Sequence, residues 1–154
     1  MSADLLAANK EALSSKLEDY CTEIGQQIEP LNEHQLWMKP VEPGNSAGHL
    51  ILHLTGNLKH FVGAQLGHTG YVRDREREFT DATPPAKAVV EKNLKEAVAT
   101  FRRVVGGLTA EQMTGQFPDP KFGTTIKALV HLVSHFALHR GQISYLVRLV
   151  QAGK

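Results

Sequence analysis

Cysteine is nearly missing from this chain. Cys21 is the only one in 154 residues. No internal disulfide can form, and a reducing compartment is expected. A dominant charge is missing too. Seventeen Lys and Arg against sixteen Asp and Glu leave a formal net charge of +1, with the basic residues scattered. That argues against a nucleic-acid partner and against a polybasic membrane patch. No apolar run approaches the ~20 residues that cross a bilayer. The N-terminal MSADLLAANKEALSSKLEDY lacks the apolar centre of a signal peptide. The expectation is a cytoplasmic protein with no membrane partner. Strand-like alternation, internal repeats and low-complexity tracts are absent as well. The length suits one domain spanning 1–154.

What is present is helical periodicity. From Ala3 to Ile28, Leu6, Leu13, Leu17, Tyr20, Ile24 and Ile28 recur at helical steps, and Pro30 ends the run. Cys21 sits beside that stripe and reads as a small packing residue. Leu31 to Gly44 is a connector broken by prolines, with Trp37 as a packing anchor. A second helix starts near Asn45–Ser46 and runs to Gly67 or Gly70. A third spans Ala86 to Val105, led in by Pro85 and ended by Gly106–Gly107. Thr109 can cap a short turn after it. Four long amphipathic segments give an all-α four-helix bundle with long connecting loops.

The last segment, Thr124 to Val150, carries the unusual pattern. His131, His135 and His139 recur every fourth residue among Leu129, Leu132, Phe136, Ile143 and Leu146. Steps of four keep side chains on one helix face. Thr124 or Thr125 can cap the helix, and Arg148 and Lys154 suit the negative end of its dipole. A histidine among apolar side chains needs a hydrogen-bond partner, a metal or water. Two histidines at i and i+4 can aim two ring nitrogens at one cation. The same spacing also serves imidazoles that are merely exposed or internally bonded, so a third ligand decides. The second helix offers one. Leu50, His53, Asn57 and His60 form a stripe, with His49 one turn before His53. His53, between Leu52 and Leu54 at mid-helix, is the best placed, and His49 and His60 read as rim residues.

The segment between the second and third helices, 68–85, holds alternating charges in Arg73-Asp-Arg-Glu-Arg-Glu78. A solvated run with local ion pairs is the favoured reading, and a loop folded over a site mouth is the second.

NSAGHLILHLTGN (45–57), RDREREF (73–79) and HLVSHFALHRGQISYLVRL (131–149) together resemble the DinB superfamily, in its branch of small bacterial proteins of undetermined function. The resemblance covers nearly the whole chain. It implies a four-helix bundle, a homodimer, and a divalent metal held by one histidine of the second helix and two of the last. Those positions are His53, His135 and His139. His49, Asn57, His131 and Gln142 are then candidates to support the ligands or line a pocket.

Three neutral histidines leave coordination positions open, as at catalytic sites. Nitrogen donors suit a divalent transition metal, zinc or nickel being the first expectation. Such a site can activate water or a thiolate. Some members of the superfamily resemble thiol S-transferases that use low-molecular-weight thiols such as bacillithiol or mycothiol. The expected function is therefore a metal-dependent thiol S-transferase or a hydrolase, with a small-molecule thiol or an electrophile as partner. The alternative is a non-catalytic metal-binding or stress-related interaction protein. No general base is evident beyond His131 or His49. A zinc protease of the H-E-x-x-H type is excluded, because Phe136, Ala137 and Leu138 separate His135 from His139. Arg140 is expected to pair with an acid on a neighbouring helix, and Gly141 to permit close packing.

Overall fold

A computed structural model describes residues 2–153. Four long helices carry the fold: α1 (Ala3–Ile28), α3 (Ala47–Leu58), α5 (Lys87–Gly107) and α7 (Thr125–Gln151). Short helices α2 (Glu33–Trp37), α4 (Arg77–Thr80) and α6 (Ala110–Thr114) fill the connections. Among the described residues there is no strand, only one isolated bridge between Gln116 and Thr124. Each of α1 and α3 packs on both α5 and α7, so α1 and α3 stand at opposite corners of the bundle. No helix among the described residues is long and apolar enough to cross a membrane.

The caps explain where the helices begin. The Ser2 hydroxyl accepts from Leu5 N at the head of α1, and Thr124 does the same for Lys127 N at the head of α7. Thr109 and Gln112 form the reciprocal pair that starts α6. Lys154, assigned by sequence to the end of α7, lies outside the described residues.

Two boundaries and one packing reading differ from the sequence analysis. The second helix stops being α-helical at Leu58 and continues as a π-helical turn over Lys59–Ala64. The third runs through Gly106 and Gly107 rather than ending before them. A Cβ at Gly141 would meet nothing within 4 Å, so close packing is not the reason for that glycine. Trp37 does anchor the connector, since a Cβ at Gly48 would lie 2.6 Å from its ring.

The core is aliphatic and aromatic. Leu17, Ile24, Ile51, Phe101, Leu129 and Phe136 are among its fully buried members. Each such side chain stabilises by roughly 1.5–3 kcal/mol. The bundle therefore rests on apolar packing, and its polar residues are free to serve a site. Cys21 is buried in that core, and burial pushes its thiol pKa up. That makes it a packing residue and not a nucleophile.

Candidate metal centre

His53 lies near the middle of α3, where Leu50, Leu54 and Asn57 are also buried. Helix α7 packs against α3 and presents His135 and His139 one turn apart. One ring nitrogen from each of these three histidines lies within 4.8 Å of the others, a cluster that could hold a metal ion. His135 Nε2 is 3.3 Å from His53 Nε2 and 3.0 Å from His139 Nε2. Metal–nitrogen bonds of about 2.0–2.1 Å in a tetrahedral site put neighbouring nitrogens about 3.3 Å apart.

The outer nitrogens fix the tautomers. His53 Nδ1 donates to Glu78 Oε2 at 2.9 Å, and His139 Nδ1 donates to Gln142 Oε1 at 2.6 Å. Arg73 Nη2 also lies 3.2 Å from His53 Nδ1, but the shorter contact is to the carboxylate; with both close partners accepting, both Nδ1 atoms carry the proton and both Nε2 atoms present lone pairs inward. His135 Nδ1 is buried with no hydrogen-bond partner. A proton on His135 Nε2 could serve only one of its two Nε2 neighbours and would leave the other lone pair unpaired. A divalent cation among the three Nε2 atoms satisfies all of them at once. The donor set fits such an ion, with nitrogen donors suited to first-row transition metals.

Burial and charge favour the neutral form of His135 and His139. Burial pushes the His135 pKa down to about 4, helped by His139, His53, His131 and Arg73. Burial also lowers His139, partly offset by the bond to Gln142. Neutral imidazole is the ligating form, so His135 and His139 stay ready for a cation over a wider acid range than free histidine would.

Beside the cluster lies a cavity of about 750 Å³, lined in part by His53, Asn57, Phe61, Phe122, His131 and His135. Phe61 belongs to the π-helical turn and Phe122 to the short 3₁₀ turn Pro120–Phe122 ahead of α7. The His131 ring stacks on His135 at 6.2 Å between centroids and lies tilted against Phe122 at 5.2 Å. π-Helical turns inside helices often accompany functional sites, because the widened turn re-aims side chains. Here that turn brings His60 and Phe61 to the cavity wall.

The family profile described as Mycothiol-S-transferase matches residues 12–151. The chain belongs to this DinB-like family. A crystal structure described as the conserved protein of locus from Enterococcus faecalis superposes with a TM-score of 0.77. The match covers 94% of this chain and 97% of that one at 17% identity, which speaks for the fold alone. No curated protein matches the chain.

In this member of the mycothiol S-transferase family, the candidate residues divide. The structure brings His53, His135, His139 and Gln142 together, and puts Asn57 and His131 on the cavity wall. His49 stands apart. Its Nδ1 accepts from Ser46 N at 3.2 Å and closes the cap of α3, while its ring meets Trp37 edge-on at 5.5 Å. It does not line the cavity. Arg140 pairs with Glu23 of α1 and lies over the Tyr20 ring at 5.1 Å, a structural role.

The solvated reading of the charged loop is corrected for two of its residues. Glu78 is only 6% exposed. Its carboxylate takes two hydrogen bonds from Arg73, at 2.7 and 2.9 Å, besides the one from His53. Burial alone would raise the Glu78 pKa, but the bonds from His53 and Arg73 outweigh it and hold the group ionised. A Cβ at Gly56 would sit 2.0 Å from Glu78 Oε1, so the bare backbone of α3 forms the seat of the carboxylate. Alternating charge conceals such a pair. The faint signals were Phe79 beside Glu78 and a glycine, Gly56, in the last turn of α3.

Proposed function

We propose that this chain is a metal-dependent thiol S-transferase in which His53, His135 and His139 hold one divalent transition metal, zinc or nickel. The observation that carries the reading is the set of three inward Nε2 lone pairs, with two of the rings, His53 and His135, on the wall of a 750 Å³ cavity. The family match supports a thiol as co-substrate. When bound, the metal supplies Lewis acidity that favours thiolate over thiol at neutral pH.

The chain's own residues do the rest. Glu78 accepts the hydrogen bond that His53 Nδ1–H donates, which fixes that ring and raises the basicity of its Nε2. Arg73 keeps Glu78 ionised and oriented through its paired bonds. Gln142 fixes His139 in the same way. Phe61 and Phe122 pack edge to face at 5.0 Å and narrow the cavity against water. The His131 imidazole, on the cavity wall, takes the proton that the thiol gives up. The new sulfur–carbon bond forms as the leaving group departs with its electron pair. Hydrolysis has less support. Among the described residues no carboxylate lines the cavity, and Glu78 is engaged behind His53.

Elemental analysis and a thiol-transfer assay test the reading together. Purified protein should carry about one equivalent of metal and join a small thiol to an alkyl halide. His139→Ala should lose most of the metal while its helical circular dichroism persists. Full metal content in that variant would refute the ligand assignment.

A further inference from the structure

We propose that the cavity binds an oxyanion, a carboxylate or phosphate-type group carried by one of the two reactants, through Arg75, Lys121 and Lys127. The reactant assignment rests on the thiol-transfer reading, whereas the anion site itself does not.

Four of the eleven residues that line the cavity are Lys or Arg, and among the described residues none is Asp or Glu. Across the whole chain the two signs nearly cancel, seventeen to sixteen. The excess is therefore local. Arg73 is neutralised by Glu78, and Lys121 has Asp119 at 2.8 Å. Arg75 and Lys127 pair with no carboxylate among the described residues.

The cations come from separate parts of the chain. Arg75 precedes α4, Lys121 sits in the 3₁₀ turn and Lys127 in the first turn of α7. They converge on one hollow, where their mutual repulsion would be relieved by an anion. Aromatic rings hold two of them in place. The Arg75 guanidinium lies 5.8 Å from the Phe79 ring centroid, and Lys121 Nζ lies 4.9 Å from that of Phe122. A ring face attracts the charge but leaves the N–H groups free to donate. His60, on the same wall, registers the field. Its pKa is lowered first by burial and then by Arg73 and Lys121. Arg75 offers the planar fork that matches an oxyanion, and Lys127 a mobile point charge.

The test uses the full chain as purified, titrated calorimetrically with inorganic phosphate at fixed ionic strength, beside an Arg75→Gln/Lys127→Gln double variant. Both positions are exposed, so the fold should persist, which circular dichroism checks. At least a tenfold loss of phosphate affinity in the variant is expected. Equal affinity in the two proteins, or none in either, overturns the proposal. Two matched reactant pairs locate the anion: N-acetylcysteine against its amide as thiol, and 4-(chloromethyl)benzoate against its amide as electrophile. In one pair the charged member should show a KM at least tenfold lower, and the variant should lose that preference. Equal KM values within both pairs would also overturn the proposal. Absence of transfer with every pair would instead refute the thiol-transferase reading, and the phosphate titration would still decide the anion site.

Discussion

Two arginines in this molecule each grip carboxylates through paired hydrogen bonds, and they do different work. Arg102 of α5 reaches Glu11 and Glu18 of α1 at the surface, with its side chain 42% exposed. Arg73 reaches Glu78 beneath the loop, where the two side chains are 10% and 7% exposed. Water screens the first cluster and competes for every bond in it, so it adds little to stability. The second is out of water. Its attraction is strong, but so is the cost of desolvating both charges. What distinguishes the buried pair is that its carboxylate has a third partner, His53. The same chemistry is a surface ornament in one place and the brace of a histidine in the other.

The largest effect should come from breaking the buried cluster. Arg73→Met leaves Glu78 buried beside a neutral imidazole. Loss of one partner from a buried pair costs about 3–5 kcal/mol, and a urea titration should register a drop of that size. A drop under about 1 kcal/mol would mean that water already reaches the pair.

Glu78→Gln separates support of the metal site from stability. The amide keeps the shape and can still accept from His53 Nδ1, without the charge. Metal affinity should fall about 10–100-fold, read by competition with a chromogenic chelator. An unchanged affinity would reduce Glu78 to a fastener for the loop.

Acid separates the clusters next. His135 in the fold has its pKa at about 4, below the ordinary 6.5. The unfolded chain thus binds a proton that the metal-free fold refuses. Stability of the metal-free protein should be full above pH 6.5 and decline as pH falls toward 4. The carboxylates held by Arg102 have lowered pKa values and begin to matter only below their ordinary 4.5. A thermal midpoint that stays flat from pH 6.5 to 5 would contradict the neutral cluster.

The smallest effect belongs to Arg102→Gln. Its thermal midpoint should match the wild type within error, and added salt should erase any difference. A clear loss would show that the surface cluster is more than screened charge.

The sequence made one side of the centre legible and hid the other. His135 and His139 stand out because a step of four on an amphipathic helix admits few readings. His53 follows from its place between two leucines at mid-helix. The brace did not follow, since a charged residue in an alternating run looks the same whether it ends in solvent or under a loop. Only Gly56, three residues beyond His53, leaves room for Glu78, and that complementarity exists in space alone. The π-helical turn was hidden for another reason. Widening a helix by one residue shifts its hydrogen bonds but leaves its apolar spacing nearly intact, so Lys59–Ala64 read as more of the same helix. The capping role of His49 was hidden because histidine is unusual in the position that Glu or Gln commonly fills.

His53 and His135 are 82 residues apart in the chain. A cation held between them is a cross-link, made by a protein whose single cysteine cannot form an internal one. It stabilises by binding the folded chain and not the unfolded one, where the histidines are not brought together. Unlike a disulfide it is set by supply. At a free metal concentration a hundred times the dissociation constant it adds about 2.7 kcal/mol, and a chelator takes that away. A bundle that takes up a metal there would have two levels of firmness, and the metal available around it would select between them.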